Sequence, residues 1–280
     1  DEEFQPEWDV VWQIDKQLQK RFSRSMGEDY VSAQLFVPAG RSFYTSIGKA
    51  ILAFEQGGVL DPITVQFGRM FATIKERPYL LSGREGTSED REFRLRIMKK
   101  LFGGEIKFER NNKEYVLCED GRKVPFSSLS SGQQELLPLW GVLGVAGSRR
   151  NDLVYIEEPE AHLFPSAQST LIEYLASLVT GQQKRMLITT HSPYVLAKFN
   201  NLMKAGEIGA KIGKGHLAQL GKIVPKNFHL APASTKAYAI IDGFVHSIIV
   251  DGLIDGEYLD GISGDISREF FSLLELENKL

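Results

Sequence analysis

One stretch of eight residues, Leu153–Glu160, constrains the fold more than any other part of the sequence. It begins with four consecutive apolar residues, continues with the adjacent carboxylates Glu157 and Glu158, and then reaches Pro159. A short unbroken apolar run predicts a strand buried on both faces of a parallel sheet. Because proline cannot continue the strand, both carboxylates are expected at the carboxyl edge of the sheet, where α/β proteins bind ligands.

The segments that follow predict a strand–helix–strand unit. Residues 167–179 carry leucines at helical spacing, and Met186–Thr190 has the composition of a second buried strand. His191 comes directly after that strand, and Ser192 is placed to cap a helix that begins at Pro193. Parallel strands joined by a helical crossover end at the same sheet edge. We therefore expect the histidine to lie beside the two adjacent carboxylates.

A polar, glycine-containing segment, Leu129–Glu135, precedes the apolar stretch Leu136–Val145. The N–H groups and the dipole of a helix that begins here favour a bound phosphate. The same residues also suit a well-capped helix without a ligand, with Ser131 as the N-cap and Gln134 completing a capping box. The residues alone leave both interpretations open. Pro138 predicts that the helix starts late or kinks.

The amino-terminal part contains an amphipathic helical pattern over residues 1–25 and a strand pattern at Gln34–Pro38. Arg41 follows that strand in a loop, where it could face a phosphate. More often such an arginine is a solvated or salt-bridged surface residue. Glu105–Arg110 and Glu114–Cys118 have strand patterns separated by a turn, which predicts an antiparallel hairpin.

The carboxyl-terminal part has weaker patterns. Residues 204–232 are rich in glycine and lysine and predict weak strands such as Gly221–Val224, whereas residues 235–280 predict a mostly helical segment. We divide the chain into three parts: an amino-terminal part at 1–126, a core at 127–232 and a helical carboxyl-terminal segment at 233–280.

Composition excludes several classes of protein. A net charge of −3 over 280 residues provides no global basic field for nucleic acid, so a DNA or RNA contact would need a local patch. The single cysteine, Cys118, excludes an internal disulfide framework and a cysteine zinc site. No stretch approaches the roughly 18 apolar residues of a membrane span. We expect a cytoplasmic protein with no membrane partner.

The carboxylates and the histidine point to phosphoryl chemistry. Mg²⁺ commonly takes one or two protein carboxylates together with substrate phosphates. A glutamate beside the metal can orient or deprotonate water, and a neighbouring histidine can donate to a phosphate as charge shifts. Taken singly, Glu157 and Glu158 also suit a solvated turn, and His191 suits a structural role. Their predicted proximity favours the chemical interpretation.

Three segments together resemble the motifs of ABC-class ATPases. Leu129–Gln133 is similar to the signature motif, with Ser131 where glycine is usual. Leu153–Glu158 is similar to a Walker B strand with its catalytic glutamate, and Thr190–Ser192 to the switch-histidine loop. The motif-bearing resemblance covers about residues 127–200. It implies an α/β head with a mostly parallel sheet flanked by helices, an antiparallel hairpin and a helical carboxyl-terminal segment.

The residues of two segments indicate which ATPases the chain resembles most. Ile156–Leu163 and Thr189–Pro193 resemble SMC-like and OLD-type bacterial ATPases, such as the heads of the Septu and retron anti-phage systems, more than they resemble transporters. The resemblance implies ATP and Mg²⁺ as cofactors and a homodimer in which two heads sandwich two ATP molecules. It also implies an effector partner, such as a nuclease or a toxin.

The resemblance also implies a role for each matching residue. Glu158 takes the position of the general base for the attacking water, and Glu157 takes the position of the Mg²⁺ ligand, where aspartate is usual. His191 takes the position of the γ-phosphate sensor. The residues that would contact the γ-phosphate of ATP on a second copy are Ser130, Ser131, Gly132 and Gln133. Glu160 and His162 lie where the family's D-loop crosses the dimer interface.

The phosphate-cradling Walker A loop is missing from the sequence. Phe43–Ala50 comes nearest to the motif but lacks its first glycine and its metal-binding hydroxyl, and Gly209–Lys214 has the wrong spacing. The chain begins at Asp1 without methionine, and in the family this loop lies upstream. We therefore expect the loop outside this chain, and we expect this chain alone not to hydrolyse ATP.

The sequence is compatible with three functions. The favoured one is an ATPase that acts as a dimer and gates an effector in anti-phage defence or DNA maintenance. The second is a non-hydrolysing scaffold or regulatory module with the same fold. The third, a nuclease, is disfavoured because the sequence contains no Asp-x-Asp pair. The residues preceding Asp1 would discriminate between the first two.

Overall fold

The computed structural model describes residues 7–27, 30–31, 33–47, 60–76, 87–109, 114–146, 152–182, 184–255 and 257–277. Its helices are α1 Glu7–Met26, α2 Ser42–Ile47, α3 Pro62–Glu76, α4 Ser88–Phe102, α5 Ser131–Ala146, α6 Pro165–Gln182, α7 Pro193–Lys211, α8 Leu217–Ile223 and α9 Glu257–Glu277. Its strands are β1 Gln34–Val37, β2 Gly104–Phe108, β3 Glu114–Cys118, β4 Lys123–Pro125, β5 Leu153–Glu157, β6 Arg185–Thr189, β7 Tyr238–Ile241, β8 Phe244–Ser247, β9 Ile249–Val250 and β10 Leu253–Ile254.

A three-stranded parallel sheet with the order β1-β5-β6 positions the predicted site. The apolar run that begins at Leu153 forms its central strand, in which Val154 and Ile156 are buried. Helix α6 connects β5 to β6, so the predicted strand–helix–strand unit is confirmed. The register aligns Glu157 with Thr189. The three strands therefore run in the same direction, and their carboxyl ends meet at one edge.

The core between the helices is centred on Trp140, which lies on α5 and is completely buried. Its ring stacks on Tyr174 of α6 with 4.8 Å between centroids, and it meets Phe102 of α4 edge-on at 6.1 Å. Aromatic side chains bury large apolar areas, and these ring arrangements are the favourable ones. One tryptophan therefore joins three helices that flank the sheet.

A second, antiparallel sheet has the order β2-β3-β4. The two strands predicted as a hairpin pair with each other, and Gly104 lies opposite Cys118. Gly104 must be a glycine, because a Cβ there would lie 2.3 Å from the carbonyl oxygen of Leu117. Helix α4 ends at Phe102 and is followed by Gly103, directly before β2; the φ of 69° at Gly103 is the left-handed conformation typical of a helix end.

Three predictions about secondary structure are wrong. Gly221–Val224 is not a strand, because residues up to Ile223 belong to α8. The carboxyl-terminal segment is helical only from Glu257; before it, β7 pairs with β8 and β9 with β10, both antiparallel. The late start of α5 is also wrong, since the helix begins at Ser131 and continues through Pro138; the kink offered as the alternative stays a prediction.

The chain's own side chains explain how Pro138 fits inside a helix. A proline cannot donate to the carbonyl four residues earlier, which here is that of Gln134. The hydroxyl of Thr45 donates to this carbonyl instead, at 2.9 Å. The unmet acceptor of α5 is thus satisfied by a side chain of α2.

No helix within the described residues is both long and apolar enough to cross a membrane. Residues 48–50, at the end of the rejected Walker A candidate, lie outside the described part of the chain.

Candidate active site

The two carboxylates and the histidine meet at the carboxyl edge of the parallel sheet, as predicted. Glu157 is the last residue of β5, and the backbone N–H of Glu158 donates to the carbonyl of Thr189 at 3.1 Å. This hydrogen bond extends the pairing of β5 and β6 by one residue beyond the strands. His191 follows β6 by two residues, and its Nε2 lies 3.7 Å from Oε1 of Glu158.

The Glu158–His191 pair is open to solvent. The side chain of Glu158 is 43% exposed and that of His191 is 85% exposed, so water or a phosphate can reach both. A carboxylate can accept a proton from water, and an imidazole nitrogen can donate to a phosphate oxygen. The arrangement places both groups within one small patch, and hydrolysis of a phosphoanhydride can use groups of both kinds.

Glu158 is held in an unusual backbone conformation. Its φ is 40°, in the left-handed region that residues with a side chain rarely adopt. Such a conformation costs about 1–3 kcal/mol and persists only where surrounding contacts impose it. The contacts here are a turn, in which Ala161 N–H donates to the Glu158 carbonyl at 3.0 Å, and the bond to Thr189. The chain therefore aims this carboxylate by constraining its backbone.

Glu157 can serve as one ligand of a metal ion. Its Oε2 accepts a hydrogen bond from Ala39 N–H at 3.1 Å, which orients the carboxylate at the sheet edge. A carboxylate has about four lone-pair sites, so this bond leaves room for coordination. Within the described residues, no group of three or more histidine, cysteine or acidic side chains could hold a metal ion. The donor set fits Mg²⁺ only as a partial one that relies on phosphates and water.

Glu160 points into the protein and supports the histidine. It is 7% exposed, and its Oε1 accepts from the Thr190 hydroxyl and, at 3.1 Å, from His191 N–H. Its other oxygen, Oε2, is buried without a hydrogen-bond partner among the described residues. His162, two residues later, is exposed and has a φ of 59°. The predicted D-loop thus contains one side chain that fixes the sheet edge and one that faces solvent.

The signature-like segment forms the start of α5. The sequence suggested a capping box of Ser131 and Gln134, but the box is formed one residue earlier. Ser130 N–H donates to Gln133 Oε1 at 3.1 Å, and Gln133 N–H donates to Ser130 Oγ at 3.3 Å. The amide of Gln133 also donates to the Phe102 carbonyl at 2.9 Å. Ser131 is exposed and Ser130 is exposed beside it.

Gly132 places this segment against the loop that follows the two carboxylates. A Cβ on Gly132 would lie 2.5 Å from the carbonyl oxygen of His162 and 3.0 Å from Cδ2 of Leu163. Only glycine allows so close a contact without a shift of backbone. The structure therefore brings the signature-like segment and the predicted D-loop of the same chain into direct contact.

Arg41 has neither of the surface roles considered from the sequence. Its side chain is entirely buried and forms an ion pair with Glu135, at 3.7 Å between Nε and Oε2. Burial lowers the pKa of Arg41, and the negative charge of Glu135 opposes this shift. Arginine stays charged in proteins even so. The guanidinium is therefore a buried cation directly behind the carboxylates.

Sequence reasoning considered Arg41 only as a loop residue, with a phosphate or surface role, and missed Glu135 as its partner. Arg41 was visible as a charged residue in a loop after a strand, but nothing in its neighbours predicts burial. Glu135 was visible only as the residue that ends the signature-like segment. A buried ion pair between positions 94 residues apart is a tertiary contact, and no local sequence pattern predicts it.

Comparison with known proteins supports the class of activity. Residues 81–196 match a family described as the AAA ATPase domain. The matched region contains the signature-like segment, β5 with its two carboxylates, and His191. No curated protein matches the chain. The family match supports ATP binding and hydrolysis as the general activity of this region of the chain.

Proposed function

We propose that this chain forms the hydrolytic edge of an SMC- or OLD-like bacterial ATPase. The observation that carries the proposal is the pair formed by Glu158 and His191, which lie 3.7 Å apart at the exposed ends of neighbouring parallel strands. The match of residues 81–196 to the AAA ATPase domain supports the nucleotide as substrate. ATP and Mg²⁺ are the proposed cofactors.

Each residue at the edge has a step to perform. Glu158 accepts the proton of the attacking water, and its exposed carboxylate suits this role. His191 donates to the γ-phosphate as negative charge shifts during transfer. When Mg²⁺ is bound, Glu157 would hold it through its carboxylate, and the ion would neutralise charge on the phosphates. Glu160 holds the turn that carries His191, through the hydrogen bond to its backbone N–H.

We further propose that two copies act together. In this arrangement Ser130, Ser131, Gly132 and Gln133 of one copy contact the γ-phosphate held by the other, and His162 lies at the boundary between the copies. The exposed positions of Ser130 and Ser131 at the start of a helix support this, because helix N-termini favour anions. Dimer formation would gate an effector, such as a nuclease or a toxin, in anti-phage defence or DNA maintenance.

The substitution Glu158→Gln in the full-length protein tests the proposal. It keeps the shape of the side chain but removes the base, so turnover of ATP should fall by about 100-fold or more. Because nucleotide binding does not need the base, the variant should accumulate as an ATP-bound dimer. Phosphate release measures the first effect, and light scattering coupled to size-exclusion chromatography with ATP and Mg²⁺ measures the second.

Glu119→Gln is the matched control, since Glu119 is an exposed glutamate at the turn after β3. Its turnover should equal that of the wild type. Full activity in Glu158→Gln would refute the assignment of the base. A wild-type protein that binds ATP and dimerises without turnover would instead be the non-hydrolysing scaffold.

A further inference from the structure

Arg41 lies where three segments of the predicted site meet: the loop after β1, the first turn of α5 and the end of β5. We infer that Arg41 is a positioning residue that sets the backbone conformation of Glu158 and couples it to the signature-like segment. The inference rests on the proposed ATPase function and adds to it a residue that neither the motifs nor the family match identifies.

The guanidinium of Arg41 donates to four backbone carbonyls. Nε donates to Glu135 at 3.1 Å, and Nη1 donates to Pro38 at 2.8 Å and to Glu157 at 2.7 Å. Nη2 donates to Glu158 at 2.9 Å. The side chain is 0% exposed, so these protein groups replace water around the cation. Each of the three segments thus binds the same planar group.

Two of these hydrogen bonds fall on the peptide groups that flank the Cα of Glu158. The peptide before it is held at its carbonyl by Arg41 Nη1 and at its N–H by the Thr189 carbonyl. The peptide after it is held at its carbonyl by Arg41 Nη2 and by Ala161 N–H. Fixing both peptide planes fixes φ and ψ between them. Arg41 therefore helps to impose the left-handed conformation that aims the Glu158 carboxylate.

On the other side, Glu135 joins Arg41 to the first turn of α5. Its carboxylate accepts from Arg41 N–H at 2.7 Å and from Ser42 N–H at 3.0 Å, and it forms the ion pair with the guanidinium. Glu135 follows Gln133 by two residues in the same turn of helix. A displacement of that turn must therefore move the guanidinium and, with it, the carbonyls of the two catalytic-edge glutamates.

The proline in α5 strengthens this connection. Pro138 leaves the Gln134 carbonyl without its helical donor, and Thr45 takes it at 2.9 Å. The next carbonyl, that of Glu135, receives Arg41 Nε. Two consecutive carbonyls of α5 thus accept hydrogen bonds from the segment that carries Arg41. These hydrogen bonds hold this segment against the helix.

The geometry requires arginine rather than any cation. Carbonyls from three segments lie around one planar group, which a guanidinium can satisfy with donors in a fixed fork. The ammonium group of lysine is a single point with three donors and cannot reproduce that spread. Lysine would supply the same positive charge, because the surrounding carboxylates, Glu135 first and then Glu160, Glu158 and Glu157, would favour either cation. Arg41→Lys therefore separates geometry from charge.

The test is the steady-state kinetics of Arg41→Lys in the full-length protein. We expect kcat for ATP hydrolysis to fall on the order of 100-fold, as for a misplaced catalytic group, while KM for ATP stays within about twofold. Because Arg41 acts through Glu158, Arg41→Lys should not lower the residual rate of Glu158→Gln any further. Arg122→Lys is the matched control, since Arg122 is exposed in a turn, and its kinetics should equal those of the wild type.

The outcomes separate the two proposals. If Glu158→Gln keeps activity, the proposed function fails whatever Arg41→Lys does. If Glu158→Gln loses activity but Arg41→Lys keeps wild-type kcat, only the positioning role fails. A double variant that is slower than Glu158→Gln alone also overturns the positioning role. Should Arg41→Lys not fold, Glu135→Gln replaces it: a lower kcat at unchanged KM supports the coupling, and an unchanged kcat overturns it.

Discussion

Single residues of the predicted motifs have structural roles within this chain. Gln133 resembles a phosphate contact, yet within this chain it caps the helix with Ser130 and donates to the carbonyl of Phe102. Gly132 permits contact between two loops of the site. One carboxylate oxygen of the buried Glu160 accepts a hydrogen bond from the backbone N–H of His191. The residues of the motifs therefore hold these segments together, so we expect their substitution to affect stability.

Gly132→Ala tests this structural role at the residue scale. The added Cβ would lie 2.5 Å from the His162 carbonyl oxygen, which is closer than side-chain contacts allow. Overpacking of this kind costs about 1–3 kcal/mol of unfolding free energy. Urea unfolding followed by circular dichroism measures the loss. Gly221→Ala is the control: its site on α8 has nothing within 4 Å, so alanine should stabilise the protein by up to about 1 kcal/mol.

An equal stability of Gly132→Ala and the wild type would contradict this prediction. It would mean that the loop containing His162 relaxes away from α5 without cost, and that the contact between the two segments is not constrained.

At the scale of elements, short-range sequence signals set where helices and strands begin, and packing contacts set how these elements are held against one another. Helix α4 begins after Thr87, whose hydroxyl and N–H form a capping box with Asp90. Its other end is tied to β2 by Lys99, whose Nζ lies 3.1 Å from Glu105 of that strand. The antiparallel sheet is thus connected to the helical core by a partly exposed ion pair as well as by chain continuity.

The charge of Glu105 makes this connection pH-dependent. Hydrogen bonds from Lys107, at 2.6 Å, and then from Lys99 lower the pKa of Glu105 in the folded protein. The resulting stability is fully present above the unfolded pKa of about 4.3 and is lost as pH falls through the lower folded value.

We therefore expect the difference in unfolding free energy between wild type and Glu105→Gln to shrink as pH falls. It should be below about 1 kcal/mol at neutral pH, because the lysines are partly exposed. Urea unfolding between pH 7 and pH 3 measures it. Lys107→Met, which removes the largest contribution, should flatten the pH dependence. A difference that stays constant down to pH 3 would contradict the assigned pKa shift.

At the scale of the whole molecule, Trp140 connects helices that flank the parallel sheet. It contacts Phe102 and Tyr174, and the guanidinium of Arg94 lies 5.3 Å from its ring centroid. Since α5 also begins with the signature-like segment, the same helix carries a core anchor at its middle and a predicted ligand contact at its start. The position of that contact therefore depends on the core.

Trp140→Ala should cost about 3–5 kcal/mol of unfolding free energy, because it leaves a large cavity where three helices meet. A lower midpoint of thermal and urea unfolding measures the effect. Phe271→Ala removes an aromatic side chain of α9 that is 62% exposed, and it should change stability by less than about 0.5 kcal/mol. Comparable losses in the two variants would mean that the assigned core is not the stabilising one.

Sequence reasoning was most successful where the signal is local. The apolar run at Leu153 predicted β5, and the second run predicted β6, because buried parallel strands need continuous apolar residues. Ser192 and Pro193 predicted the start of α7, where the structure places the cap. It failed for Gly221–Val224 and for β7–β10, since short exposed segments carry weak periodicity and are decided by neighbours.

Local sequence patterns are enough to bring two carboxylates and a histidine to one edge of a parallel sheet. Strand polarity and a helical crossover leave few alternatives, so the approach of Glu158 to His191 follows from local patterns. The contacts that hold that edge in place, in contrast, join distant segments and could be identified only in the folded chain. Arg41, Glu135 and Pro138 come together across many residues, and a buried ion pair is recognised only when both partners and the carbonyls around them are in place.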